Sequence, residues 1–331
     1  MRWLFACAVG EGRTKNGVDL GRALEAQGEQ VEFFDIDARP AIAAAIPKSL
    51  RGPRWRQAIE ARLNERLARL LRERAPDVLV VVKGLQVEPG VVRDARAAGV
   101  ATVGMWIDDP LDIERSVGRA PCFDLYLTND ARSVAVYRER GQPNAHHFPG
   151  SADPALFFPR PALARDIDAS FVGTWSDRRA EAIRALAGRP AHVFGSGWAG
   201  RALPSTTILG SKLLTGEFNA VINRSRINVN VHRWFGLGTA MNLRLFEVPA
   251  AGAFLLTDWV AEIDDHYVED RHVVCWRSFE ELRDKAAFYL GHDAARERIA
   301  RAGHEHFIAH HSYRERATWL RRCLTHRTIG A

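Results

Sequence analysis

A chain of 331 residues, 47% of them apolar and 26% charged, is long enough to fill two α/β cores of ordinary size. Its net charge of +6 makes a mildly basic surface that suits an anionic small molecule and argues against a nucleic-acid partner, which would call for a far more basic stretch. No window approaches 18 uninterrupted apolar residues, and MRWLFACAVGEGR reads as a buried strand rather than a signal peptide, so a cytoplasmic protein is expected. The four cysteines, Cys7, Cys122, Cys275 and Cys323, are scattered without C-x-x-C spacing and read as buried thiols.

An apolar strand over residues 2–9 runs into Gly10, Glu11, Gly12 and Arg13, and a helix follows over 16–27. A dinucleotide fingerprint would place a third glycine at position 15, where Lys15 stands, so the loop reads as an entry turn and not as a dehydrogenase motif. After a strand over 31–36, ending in Asp35 and Asp37, comes a long helix, 54–74. Ile59, Leu63, Leu67 and Leu70 line one side of it and Arg56, Arg62, Arg66, Arg69 and Arg72 the rest. Such a basic amphipathic helix is either the solvated outer layer of an α/β domain or a peripheral contact with an anionic membrane. Strands over 77–83 and 101–107 read as continuous apolar runs buried on both faces, with a helix over 90–98 between them. The second strand ends in Trp106, Ile107, Asp108, Asp109 and Pro110, which places two carboxylates at the sheet's carboxyl edge; an aspartate before proline also caps helices. A strand over 123–128, a helix over 130–140 and a strand over 145–148 close the first half. His146 and His147 are adjacent in a strand, so they point to opposite faces and read as structural.

The proline-rich segment 154–161 reads as a linker, after which the alternation restarts. A strand over 169–172 and a helix over 177–186 are followed by a strand over 191–194. That strand ends in Gly195, Ser196 and Gly197, a loop small enough for a phosphate or base to approach the backbone. Lys212 opens a helix over 213–223. Next, Ile227, Val229 and Val231 alternate with Asn228, Asn230 and His232, the period of a strand with one buried face. A loop over 234–239 holds Gly236 and Gly238. Leu243, Phe246 and Ala250 then keep helical spacing with Arg244 and Glu247 on another side, Gly252 ends the helix, and a strand over 253–257 leads to Asp258. This strand, glycine loop, helix and strand present backbone N–H groups at the carboxyl edge of a parallel sheet, where a nucleotide diphosphate is expected. A strand over 272–276 follows. Ser278 with Glu281, and Ser312 with Glu315, have capping-box spacing, the latter opening a last helix that carries Trp319 and Leu320. His304, His306, His310 and His311 lack an acidic or cysteine partner at ligand spacing and read as helix-terminus residues rather than a metal centre.

NLRLFEVPAAGAFLLTD resembles the signature of the CgeB-like (spore-maturation-protein) glycosyltransferases, a GT-B branch related to glycosyltransferase family 4, and FVGTWSDRRAEAIRAL is similar to the family's opening of the donor domain. The likeness is strongest over 170–318, weaker over 76–160, and slight before that. It implies an α/β GT-B fold, two doubly wound Rossmann-like domains facing across a cleft: an acceptor-side domain over 1–155, a nucleotide-sugar donor domain over 156–312, and a helix over 313–331 crossing back to the first. It implies transfer of a sugar from a nucleotide-diphosphate-sugar to an acceptor, with no metal and no cofactor beyond that co-substrate. Glu247 is expected to hold the ribose. Arg244, Asn242, Gly238, Gly195, Ser196, Gly197 and Lys212 complete the expected donor side, Gly10, Gly12 and Arg13 border the acceptor side, and Asp108 or Asp109 is the expected base if the reaction inverts the sugar. The related family pattern places a second glutamate eight residues before Glu247, where this chain has Thr239. Two other readings share the architecture: a nucleotide-sugar epimerase, and a degenerate GT-B protein that binds without catalysis.

Overall fold

A computed structural model describes residues 1–9, 16–38, 52–186, 188–210, 213, 215–232 and 241–328. The chain divides into two compact units, Met1–Pro149 with Arg316–Ala331, and Gly150–Glu315.

The first unit runs β1 (Arg2–Cys7), α1 (Asn16–Glu25), β2 (Gln30–Asp35), α2 (Pro53–Arg74), β3 (Val78–Val82), α3 (Pro89–Ala97), β4 (Ala101–Trp106), α4 (Ile113–Ser116), a single 3-10 turn at Ala120–Cys122, β5 (Leu125–Thr128), α5 (Ser133–Glu139) and β6 (Ala145–His147). Its six strands are all parallel in the order β2-β1-β3-β4-β5-β6. All five residues of VLVVV in β3 are buried, as a parallel strand covered by helices on both faces requires. Leu63, Leu67 and Leu71 bury one side of α2 in this core, and Arg66 lies over the Phe34 ring at 5.7 Å. The apolar side of the basic helix is therefore committed to its own unit, which leaves only the charged side outward. Among the described residues no helix is long and apolar enough to cross a membrane.

The second unit runs β7 (Ile167–Val172), α6 (Asp177–Ala185), β8 (Ala191–Phe194), β9 (Thr206–Ile208), α7 (Thr215–Arg224), β10 (Ser225–Asn230), α8 (Arg244–Ala250), β11 (Leu255–Asp258), α9 (Ile263–His266), β12 (Val274–Trp276), α10 (Phe279–Gly291) and α11 (Asp293–His310). A last helix, α12 (Tyr313–Thr328), begins here and has its later turns in the first unit, where Arg321 pairs with Glu29 at 2.8 Å. The sheet is again six parallel strands, ordered β12-β11-β10-β7-β8-β9. In both units the strand order reverses beside the first strand, at β1/β3 and at β7/β10, which opens a crevice at the carboxyl edge of each sheet. These are the two doubly wound α/β layers of the GT-B fold.

β10 departs from the sequence expectation. Its alternation suggests one wet face, but Asn228, Asn230 and His232 are 5%, 2% and 3% exposed. The strand lies mid-sheet with helices on both sides, so its amides must be satisfied internally. Asn228 Nδ2 donates to the carbonyls of Ile222 and Phe254, and its Oδ1 accepts from Ser170 Oγ at 3.2 Å. The proline-rich stretch 154–161 is held along α7, where Asn219 and Asn223 exchange hydrogen bonds with the backbone of Phe158 and Arg160. At Ser278 the capping box forms in part as expected: its Oγ accepts from the Glu281 N–H, while the Glu281 carboxylate takes the N–H of Arg277. Burial pushes the Cys7 and Cys275 thiols up to about 12, which leaves them unreactive.

Candidate functional site

The second unit's crevice is closed by side chains that cross the switch point. Arg244, the first residue of α8, sends Nε to the carbonyl of Val172 at the end of β7 (3.2 Å) and Nη1 to the carboxylate of Glu247 one turn on. The Phe218 ring lies 4.2 Å below its guanidinium, a cation–π contact that fixes the plane. Glu247 is 8% exposed, and burial pushes its carboxyl above the usual range while Arg244 pulls it back. Asn242 Oδ1 accepts from the Arg244 N–H, its Nδ2 donates to Asn230 Oδ1 at 2.9 Å, and Asn230 Nδ2 donates to Thr257 Oγ1 at 2.9 Å. A chain of amides thus ties α8 to the ends of β10 and β11. The helix is shorter than a long amphipathic pattern would make it. It has seven residues, carries Pro249 inside, and gives way to Gly252 in the left-handed region at φ 64°.

Beside this cluster stand residues to which sequence reasoning gave no role. Asp258, the last residue of β11, is fully buried, and its carboxylate accepts the backbone N–H of His232 and lies 2.6 Å from the ring Nδ1. Arg178 brings Nη2 to 3.6 Å from the same carboxylate and lies over the Trp276 and Phe279 rings. Arg179 holds the carbonyl of Val231 through both Nε and Nη2, which fixes the chain as it leaves β10. The one cue in the sequence was an aspartate directly after an apolar strand; nothing marked the histidine as its partner.

The loop Gly195–Gly197 serves a neighbouring loop. A Cβ on Gly195 would lie 2.0 Å from the carbonyl oxygen of Gly173, and Gly195 has φ 140°. The Ser196 carbonyl accepts from the Trp175 N–H at 2.9 Å, and Gly197 sits against the Trp175 side chain. Close approach of two backbones accounts for these small residues.

In the first unit, the crevice at β1/β3 is a cavity of about 530 Å³ lined by Cys7, Lys83, Gln86, Trp106, Asp108 and Arg115, among others. Asp108 reaches it, ion-paired with Lys83. Asp109 does not share that position. It is 2% exposed, its Oδ2 accepts from Thr128 Oγ1 (2.5 Å) and Tyr137 Oη (2.9 Å), and burial pushes its carboxyl up to about 6, against the pull of those two hydroxyls. Ser116 bonds to Tyr137 in the same network. The two carboxylates follow β4 in a turn, where one meets the cavity and the other the interior.

Of the expected donor residues, Asn242, Arg244 and Glu247 come together, whereas Gly195, Ser196 and Gly197 belong to the β7/β8 loops. Gly238, Lys212 and Thr239, with Gly10, Gly12 and Arg13, lie outside the described residues. The histidines are spent on backbone: His304 meets the carbonyl of Pro249, and His306 and His311 both meet that of His266. His146 packs edge-on to Trp319.

Residues 178–322, less than half of the chain, match the family model described as glycosyl transferase-like. No curated protein matches in sequence. Among solved structures, the sucrose-phosphate synthase of Thermosynechococcus elongatus superposes with a TM-score of 0.71 at 12% identity, over 100% of both chains. HepE of Anabaena in complex with UDP-glucose gives 0.66 at 10% identity over 98% of this chain and 99% of that one. A putative UDP-N-acetylglucosamine 2-epimerase of Listeria monocytogenes gives 0.62 at 11% identity, covering 99% and 97%. At these identities the likeness establishes the GT-B fold of the whole chain.

Proposed function

We propose that the protein is a glycosyltransferase of the CgeB-like branch that moves a sugar from a nucleoside-diphosphate-sugar to a hydroxyl acceptor. The observation that carries this reading is the half-buried Arg244–Glu247 pair at the switch point of the second unit, inside the segment that matches the glycosyl transferase-like model. Crevices at such points bind nucleotides. A carboxylate there accepts from the two ribose hydroxyls, and a guanidinium with N–H groups left over meets the diphosphate. Arg244 uses Nε and Nη1 within the protein, which leaves Nη2 for a phosphate oxygen. Asn242, held by Asn230, orders the approach to α8. HepE was solved with UDP and with UDP-glucose on the same fold, which supports a nucleotide-sugar as the donor.

In the transfer, the acceptor oxygen forms a bond to the anomeric carbon as the bond from that carbon to the diphosphate oxygen breaks. The electron pair leaves with the nucleoside diphosphate, whose growing charge Arg244 stabilises. For an inverting reaction the acceptor proton passes to Asp108, the carboxylate that reaches the first unit's cavity.

The likeness to a 2-epimerase fold favours one competing reading, in which a sugar leaves altered with no acceptor consumed. A thermal-shift panel of UDP, GDP, TDP, ADP and CMP with their sugar conjugates tests the donor claim. A ligand at a hundred times its Kd adds about 2.7 kcal/mol of stability. A shift with one nucleoside diphosphate that is lost in Glu247→Ala supports the reading; no shift with any of them, or an undiminished shift in the variant, overturns it. Acceptor-free turnover of the sugar would favour the epimerase.

A further inference from the structure

The imidazole of His232 is 3% exposed, and its Nε2 is buried with no hydrogen-bond partner among the described residues. Its other nitrogen, Nδ1, is taken up by the Asp258 carboxylate at 2.6 Å. Leaving a polar atom enclosed and unpaired costs free energy, so such an atom in a folded crevice asks for a ligand group. The chemistry of that group follows from the tautomer. Arg178 stands 3.6 Å from the Asp258 carboxylate, and Glu181 acts on the same guanidinium. With Nδ1–H donating to that carboxylate, a neutral imidazole presents a lone pair at Nε2. A lone pair does not bind a phosphate; it accepts from an O–H. Asp258 and His232 stand at the ends of adjacent parallel strands, on the same sheet edge as Arg244 and Glu247.

We infer that His232, held in its Nδ1–H form by Asp258, is a sugar-recognition residue whose Nε2 accepts a hydrogen bond from a hydroxyl of the transferred sugar. This rests on the donor reading above and adds to it a residue assigned to the sugar as distinct from the nucleotide. Arg179, by fixing the Val231 carbonyl, keeps the ring's attachment point in place, and the second hydrogen bond from the His232 N–H to Asp258 keeps the ring from turning.

The test compares two ligands that differ only in the sugar. Binding of UDP and UDP-glucose, and of GDP and TDP with their glucose conjugates, is measured by calorimetry for the wild type, His232→Ala and Asp258→Asn. Asparagine keeps the shape of Asp258 but donates to Nδ1, which moves the ring proton to Nε2 and turns the acceptor into a donor. Both variants are expected to leave affinity for the bare nucleoside diphosphate within twofold and to weaken the sugar conjugate five- to tenfold. Nitrogen-15 spectra of histidine-labelled protein read the tautomer directly and do not need a ligand: wild type is expected to show an unprotonated Nε2 at pH 7 and Asp258→Asn a protonated one. Equal weakening of both ligands would place His232 at the ribose or the phosphate and overturn the inference, as would a charged ring or an Nε2–H in the wild type. If the wild type binds no nucleotide, the donor reading itself falls and the sugar role falls with it. If bare nucleotide binds and the sugar conjugate is indifferent to both variants, only the role of His232 fails.

Discussion

Replacing Glu247 by glutamine removes one charge and changes almost no volume, which makes it the sharpest probe of the second unit's crevice. Glutamine Oε1 can still accept from Arg244 Nη1, so the local pair survives as a charged-to-neutral hydrogen bond, and the packing of Phe218 beneath the guanidinium is untouched. Because Arg244 is a quarter exposed, losing its counter-charge costs the fold on the order of 1 kcal/mol, well short of the cost of stranding a fully buried ion. The effect on ligand is larger. A carboxylate accepts from both ribose hydroxyls, and hydrogen bonds to a charged group are worth about 1.5–3 kcal/mol each. An amide can accept only with its oxygen and turns its NH₂ toward the second hydroxyl. Loss of one such bond weakens nucleoside diphosphate about ten- to hundredfold. Calorimetric titration with the nucleotide that shifts the wild type, beside a melting curve of the variant, separates the two effects. A variant that melts within a few degrees of wild type and binds the nucleotide equally well would refute the assignment of Glu247 to the ribose.

Three further outcomes follow from the geometry. Asp108→Asn is expected to lower turnover at least about a hundredfold with donor affinity unchanged, measured as kcat against KM; an equal loss in both would place Asp108 in binding or structure instead. Asp109 has a folded pKa of about 6 against an ordinary 3.8. Its contribution to stability is thus full below pH 3.8 and lost as pH rises through 6, so Asp109→Asn should gain on the wild type by up to about 3 kcal/mol between pH 4 and 7 in urea titrations. A difference that stays flat with pH would show that Asp109 is not held protonated. Gly195→Ala places a methyl group 2.0 Å from the Gly173 carbonyl oxygen and is expected to cost on the order of 2–4 kcal/mol in thermal unfolding, with Gly197→Ala milder because its added Cβ would stand 3.1 Å from the Trp175 Cβ.

Strand and helix alternation was legible because parallel strands buried on both faces leave unbroken apolar runs such as VLVVV at 78–82, and helices between them leave periodic ones. Short elements were not: β9 at Thr206–Ile208 and the single turns α4 and α9 have too few residues to show a period. The alternation over 225–232 was misleading for a physical reason. Polar residues on a mid-sheet strand mimic a wet face, but a network of amides satisfies them inside the protein. Arg244 and Glu247 were legible together because three residues apart on a helix is contact distance. Asp109 and Asp108 read as equivalent in sequence, and only their surroundings, Tyr137 and Thr128 for one and Lys83 for the other, separate them. The His232–Asp258 pair spans 26 positions, and no local pattern announces a contact between the ends of two parallel strands.

On the function proposed above, a nucleoside diphosphate-sugar is held against Arg244 and Glu247 at the edge of the second sheet. A crystal structure with the nucleoside diphosphate selected by the thermal-shift panel tests it most directly. The ribose hydroxyls should lie within about 3.2 Å of the Glu247 carboxylate, with a phosphate oxygen at Arg244 Nη2. Nucleotide density in the first unit's cavity, or anywhere that leaves Glu247 without a ligand contact, would contradict it.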